Sequence, residues 1–272
     1  MEKETTEALV RQTIKLGNSA GILLPKSWLG SEVKATLIEK PIDIKRDILK
    51  ILGPYLDDII GIYLTGSYAR GEQKKGSDID ILVITETKNK IINVGKYHII
   101  IIKLDNVIKN LEENIITIYP LIKEAKVILN KHLLNELKKV KVTPDKLRWH
   151  IETSKTALKI IKSLLDLEEK EEIVKSTAII YSLVLRLREA YIVECLLKNK
   201  DYNTKNLIKL ISKKIREETV KKSYAVYVAE RDNKKIPYKI KLKDVKKLYE
   251  IVDKMISKQE MLLKHGKKRK KA

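Results

Sequence analysis

The stretch 63–85, YLTGSYARGEQKKGSDIDILVIT, constrains what this chain can fold into more than any other part of it. Two apolar runs of strand length, 59–64 and 79–84, enclose a Gly66-Ser67 pair and a polar loop. Asp78 and Asp80 open the second run. In an extended chain residues i and i+2 point to the same face, so these two carboxylates converge on one point. Convergent carboxylates at a strand's edge are costly unless a cation or a proton lies between them. Oxygen-only ligands suit Mg²⁺, which takes one or two carboxylates and completes its shell with water and substrate phosphates. The Gly-Ser turn offers backbone N–H groups and an uncrowded approach for such phosphates. The plain structural alternative is a surface turn before a buried strand with two solvated aspartates. It leaves Gly66-Ser67, Arg70 and the acidic pair unrelated to one another.

Taken together, Gly66-Ser67, Ala69-Arg70-Gly71 and Ser77-Asp78-Ile79-Asp80 resemble the signature of the DNA polymerase β-like nucleotidyltransferases, in their minimal prokaryotic form GSxARGxxxxxSDxD. All fifteen positions keep the spacing. The resemblance implies transfer of a nucleoside monophosphate from a nucleoside triphosphate, ATP foremost, to a hydroxyl on a protein, an RNA or a small molecule. It also implies two Mg²⁺ ions about 4 Å apart. Asp78 and Asp80 would hold the metals, and Gly66 and Ser67 the phosphates. Arg70 would either neutralise charge near them or fix the turn. The family's third carboxylate belongs on the next core strand, within 96–105, where the aligned position holds His98. Asp105 lies seven residues later, on the opposite strand parity. A neutral imidazole is a weak ligand for a hard ion that prefers oxygen.

The rest of the chain adds context. Lys and Arg number 57 against 36 Asp and Glu, a formal charge of +21. That surplus points to a polyanionic partner such as nucleic acid or nucleotides. A thermophile's charged surface accounts for the charge content but not for its sign. The single cysteine, Cys195, excludes an intrachain disulfide and fits a reducing compartment. No apolar run approaches the roughly 20 residues of a membrane span, and the start lacks a signal peptide's apolar core, so a cytoplasmic protein with no membrane partner is expected.

Residues 11–41 read as a strand, a Gly17-Asn18-Ser19 turn, a second strand stopped by Pro25, one helical turn and a third strand at 33–39. They resemble the AbrB-like swapped-hairpin domains, whose core reads K-x-G-N-S-x-x-x-x-x-P-K. A hairpin this small cannot bury a core alone. The resemblance implies a homodimer, with Arg11, Lys15, Lys26 and Lys34 on a face that binds DNA in that family.

Residues 42–142 read as an α/β unit: a helix over 43–52, strands at 59–64, 79–84 and 97–103, helical spacing at 105–110 and 119–137, and a weak strand at 126–129. Thr143-Pro144-Asp145 marks a helix start. From there helices are expected at 145–166, 171–199, 204–222 and 242–264. A bundle over 143–265 resembles the HEPN-like or substrate-binding bundles fused or paired with minimal nucleotidyltransferases. Its nucleolytic pattern, Arg followed after four to six residues by His, is missing, since neither Arg186 nor Arg188 has a His in reach downstream and His150 lacks a suitably placed upstream Arg. Residues 266–272 form a basic tail. The expected fold is therefore α+β: a small β-hairpin segment, a polymerase β-like mixed sheet and a helical bundle. A second function stays open beside the enzyme, a nucleotide-sensing or antitoxin-type DNA-binding regulator with a toxin partner. Asp78, Asp80, Gly66 and Ser67 favour the enzyme; His98 favours the regulator.

Overall fold

The computed structural model describes residues 7–38, 42–74 and 76–269, with backbone alone from 264 to 269. The chain divides into two units, Met1–Ile48 and Leu49–Ala272. In the first, β1 (Ile14–Leu16) pairs antiparallel with β2 (Ser19–Gly21). The two-residue turn between them starts at Gly17, whose φ of 55° few side-chain-bearing residues adopt. Pro25 ends the extended chain, and a 3₁₀ turn (Lys26–Trp28) follows. Residues 31–38 form no strand, which corrects the expected third strand as far as 38; its last residue, Glu39, lies outside the described residues. None of the side chains from 7 to 38 is buried, and Leu16, Leu23, Leu29, Leu37 and Ile38 are exposed. An isolated hairpin has no second layer to cover its apolar residues, so a third strand gains nothing by pairing here.

Helix α1 (Ile44–Ile51) is stopped by Gly53-Pro54. A five-stranded sheet then supplies the framework, built from β3 (Ile59–Thr65), β4 (Ile79–Thr85), β5 (Lys90–Val94), β6 (Tyr97–Lys103) and β7 (Lys126–Leu129). The strand order is β5-β6-β4-β3-β7; β4 and β6 run parallel and every other neighbouring pair antiparallel. Near-continuous Ile, Leu and Val make β4 buried at every residue but the half-buried Asp80, as a central strand covered on both faces requires. Helices α2 (Gly66–Arg70), α3 (Leu104–Glu113), α4 (Ile115–Glu124) and α5 (Lys131–Lys138) complete this region. Tyr63 is fully buried, and its hydroxyl donates to the Asn130 carbonyl at 3.0 Å.

Beyond it lie α6 (Arg148–Leu167), α7 (Thr177–Leu197), α8 (Thr204–Ser212), α9 (Glu217–Arg231) and α10 (Leu242–Arg269). The helix expected over 204–222 is two helices broken at 213–216. The acids Glu217 and Glu218 occupy the first turn of the second, where the helix dipole favours negative charge. The backbone is helical to Arg269, and the remainder of the basic tail, from Lys270, lies outside the described residues. One apolar cluster runs unbroken from Tyr63, Leu82 and Ile84 through α3–α5 to Val252 and Ile256 of α10. Cys195 is a buried free thiol. No helix among the described residues is long and apolar enough to cross a membrane.

A second polar cluster lies inside the helices. His150 of α6 meets Glu189 of α7: His150 Nδ1 is 3.7 Å from its carboxylate, which Arg186 Nη1 holds at 2.7 Å, and Ser154 lies one turn on along the same face of α6. Gln259 of α10 donates to the Ala190 carbonyl at 2.8 Å. Among the described residues His150 Nε2, Ser154 Oγ, Arg186 Nε and Gln259 Oε1 are buried without a hydrogen bond of good geometry, though Gln259 faces His150 closely enough to act on it.

Candidate functional site

β3 ends at Thr65 and the chain turns at once into α2. Gly66 adopts a φ of 67°, and a Cβ there would collide with the Asp80 carboxylate. Glycine is thus required twice, for the left-handed backbone and for the close approach. Gly71, at φ 69°, closes the short helix, and its N–H and that of Glu72 both donate to the Ser67 carbonyl. The loop returns through a turn in which Ser77 Oγ accepts from the Lys74 N–H at 2.8 Å.

A polar row crosses the same end of the sheet. Thr65 of β3 pairs with Asp80 of β4, Asp80 with His98 of β6, and His98 with Asn93 of β5. Residues directly opposite in neighbouring strands point to one face, so these four side chains form a line. His98 Nδ1 lies 2.7 Å from Asn93 Oδ1. With that oxygen accepting, Nδ1 is the donor of this bond. Asp78, exposed, stands two residues before Asp80, which is half-buried. Burial raises the Asp80 carboxyl above the ordinary carboxylate range; His98 opposes that, Asp78 reinforces it, and Arg70 and Arg231 oppose it.

Arg70 is anchored from behind. Its Nε bonds Glu72 at 2.8 Å and its Nη1 bonds Glu124 at 2.6 Å. The other Glu124 oxygen accepts from the Gly66 N–H at 2.6 Å. One carboxylate at the end of α4 therefore fixes both the turn and the arginine. Burial raises the Glu124 carboxyl above its ordinary value, against the pull of Arg70 and the Gly66 N–H. On its outer side the Arg70 guanidinium lies 5.7 Å from the Tyr202 ring. Arg188 of α7 sits 6.0 Å from the same ring and 5.2 Å from the Tyr227 ring of α9, and hydrogen-bonds both hydroxyls. Alternating guanidinium and aromatic groups thus join the sheet turn to α7 and α9.

The structure brings Gly66, Ser67, Arg70, Asp78, Asp80 and His98 to one end of the sheet. It does not bring Asp105 there. That residue is exposed in the first turn of α3, past the far end of β6 from His98. The Gly66 N–H is committed to Glu124, and both guanidinium contacts of Arg70 go to carboxylates. Sequence reasoning missed Glu124, Asn93, Tyr202 and Arg231. The one local signal for Glu124 was a lone acid ending an otherwise apolar helix, Ile115-Ile116-Thr117-Ile118-Tyr119-Pro120-Leu121-Ile122-Lys123-Glu124.

Residues 42–140 match the family model described as the nucleotidyltransferase domain. Among solved structures, a nucleotidyltransferase-like protein from Exiguobacterium sibiricum 255-15 is similar, with 11% identity over 80% of this chain and 75% of that one and a TM-score of 0.37. Spectinomycin adenyltransferase AAD(9) from Enterococcus faecialis, solved with ATP and spectinomycin, is similar at 14% identity over 80% of this chain and 97% of that one, with a TM-score of 0.40. No curated protein matches the chain.

Proposed function

We propose that this chain transfers a nucleoside monophosphate from a nucleoside triphosphate, ATP foremost, to a hydroxyl acceptor, using the end of the sheet where Asp78 and Asp80 stand. The observation that carries the reading is the polar row through Asp80 with Gly66 packed against its carboxylate, inside a nucleotidyltransferase domain. A Cβ at Gly66 would fill the space beside Asp80, so the chain keeps that approach open.

The donor chemistry fits Mg²⁺. Asp78 and Asp80 offer two hard oxygen ligands, the number this ion usually takes from protein when phosphates supply the rest. Among the described residues no group of three or more His, Cys, Asp or Glu has metal-binding geometry. Asp78 and Asp80 would therefore hold one Mg²⁺ that arrives with the triphosphate; a second has His98 where a carboxylate would serve it. When bound, the ion neutralises charge on the triphosphate and on the pyrophosphate that leaves. The protein's part is positioning. Glu124 fixes the Gly66–Arg70 turn, Ser67 borders the phosphate approach, and Arg70, held rigidly, adds positive potential at Asp80.

The test is a melting series with and without Mg²⁺ and ATP. The wild type is expected to gain stability only with both, and the Asp78→Asn/Asp80→Asn double variant to keep its fold and lose the gain. An unchanged gain in the double variant would sink the metal site.

His98 supports a second reading, in which the site senses nucleotide and turns over weakly within a DNA-binding regulator. That reading goes with a homodimer formed through the hairpin segment, which the absence of any buried side chain from 7 to 38 supports. Light scattering decides it: full-length chain should be a dimer and a chain lacking residues 1–40 a monomer. A monomeric full-length chain at micromolar concentration removes the swapped-hairpin reading.

A further inference from the structure

The positive charge of this protein is concentrated in its C-terminal half. Residues 141–272 hold 35 of the 57 Lys and Arg but only 18 of the 36 Asp and Glu. The densest described part follows α9: residues 231–247 carry eight basic side chains against two acidic ones.

That segment starts beside the site. Tyr227 and Arg231 lie four residues apart on one face of α9. Tyr227 is tied through Arg188 and Tyr202 to Arg70. Arg231 continues this line one turn further and contributes positive potential at Asp80. The chain then leaves the helix and runs without helix or strand from 234 to 240. Lys235, Tyr238 and Lys239 are exposed, while Ile240 is buried. The far end is pinned: the Ile240 carbonyl accepts from the Val174 N–H at 3.0 Å, and Lys241 pairs with Ile173. Lys239 and Lys241, flanking buried Ile240, project outward together about 7 Å apart. Tyr238 is 45% exposed, with Lys222 5.6 Å from its ring.

Stability does not explain this arrangement. Lys243, Lys246 and Lys247 crowd the start of α10, where the helix dipole disfavours cations and where Asp244 is the one acid of the first turn. The acids nearby are loosely engaged: Lys241 and Glu172, both more than half exposed, meet at 3.5 Å. Such a pair is worth little and opens readily for a stronger anion. A cleft of about 310 Å³ lies there, lined by Glu171, Glu172, Lys241, Leu242, Lys243 and Lys246.

We propose that the acceptor is a single-stranded nucleic acid, laid along the exposed segment from Arg231 to Lys243 with its terminal hydroxyl delivered to Asp78 and Asp80. This rests on the transferase reading above. Lysines spaced along an extended segment suit a flexible phosphate backbone, and an exposed tyrosine offers a stacking face that any base can use. In the reaction the terminal hydroxyl gives its proton to water and its oxygen bonds to the α-phosphorus of the nucleoside triphosphate. The bond from that phosphorus to the bridging oxygen breaks, and pyrophosphate leaves with the electron pair.

Two measurements on the full-length chain test this. In the first, a fluorescent 20-nucleotide single-stranded RNA, its DNA counterpart and the RNA duplex are titrated with protein at several salt concentrations. Binding should favour the single strands. The Lys235→Glu/Lys239→Glu/Lys243→Glu variant should bind at least 10-fold more weakly, and its log–log salt slope should fall by about 2. The corresponding Lys→Arg variant should bind as the wild type does. Equal affinity in the charge-reversed variant, or preference for duplex, overturns the proposal. In the second, α-labelled nucleoside triphosphates and Mg²⁺ are added with each oligonucleotide. Label on the strand end supports it, on RNA or DNA as the case falls; label on protein with the strand unmodified overturns it. If neither strand nor protein takes label while the strand binds through the lysines, the transferase reading fails and the binding surface stands alone.

Discussion

Two partly buried arginine–glutamate pairs in this molecule are built from like parts and end differently. At the sheet turn, both oxygens of Glu124 are used, one by the Gly66 N–H and one by Arg70. Inside the helices, Glu189 holds Arg186, yet among the described residues His150 Nε2, Arg186 Nε and Gln259 Oε1 around that pair are buried without a hydrogen bond of good geometry, against Glu72 Oε1 alone around Arg70. Burial drives the His150 imidazole down to about 4, so its 3.7 Å approach to Glu189 is a contact of a neutral ring and not an ion pair. The same ingredients thus make a rigid brace in one place and a polar weakness in the other. A buried charge pair fixes geometry only when its remaining lone pairs and protons are satisfied as well.

The contrast breaks most visibly at Glu124. Glu124→Ala leaves the Gly66 N–H unpaired and Arg70 held by Glu72 alone, and is expected to cost about 3 kcal/mol in urea unfolding and most transfer activity. Glu189→Ala, in the cluster that is already incomplete, should cost clearly less. Equal losses would erase the distinction.

Gly66→Ala comes next. Its side chain meets the Asp80 carboxylate on a left-handed backbone. Displacing that carboxylate by about 1 Å should lower kcat/KM about 100-fold, with a smaller loss of about 1–2 kcal/mol in stability. A Gly66→Ala protein of normal activity would mean that Asp80 need not stay where it stands.

The helical cluster is exposed by acid. The folded His150 takes a proton only near pH 4, whereas the unfolded ring does so near 6.5. Its contribution is therefore complete above pH 6.5 and is lost as the pH falls toward 4, by about 2 kcal/mol between pH 7 and 5. The groups that face it are Glu189, Arg186 and Gln259, and the raised carboxyl of Glu189 works in the opposite direction. Subtracting the stability–pH curve of His150→Leu from that of the wild type isolates the effect. A flat difference would show that the imidazole is not buried neutral.

The smallest expected change is at His98. His98→Asp puts an oxygen ligand opposite Asp80 and should raise Mg²⁺ affinity or transfer rate several-fold. Asp105→Asn should do nothing, because about 20 Å of strand separates the two positions. Loss of activity in Asp105→Asn alone would reverse these roles.

Legibility followed the range of the interactions. The strands β3, β4 and β6 were readable because each is a dense apolar run, and the Gly66-Ser67 turn and the acidic pair because their residues lie within fifteen positions. β5 was missed: Lys90-Ile91-Ile92-Asn93-Val94 is a largely exposed edge strand with little apolar excess. The break at 213–216 was missed because apolar spacing continues across it through Leu207, Ile211, Ile215 and Val220. Glu124 was out of reach for a different reason. It meets Arg70 across 54 residues, and no local pattern tells a carboxylate that will be buried from one that will be solvated.

The unbroken apolar cluster bears on how such a chain can be inherited. Ile118, Tyr119 and Ile122 of α4 share one interior with Leu187, Val252 and Ile256 of the helices. A gene segment ending at residue 140 would encode the sheet backed by an open apolar wall. Recombination is therefore expected to move the sheet and the helices as one heritable piece. A drifting residue on either side of that wall is expected to be answered by a change on the other.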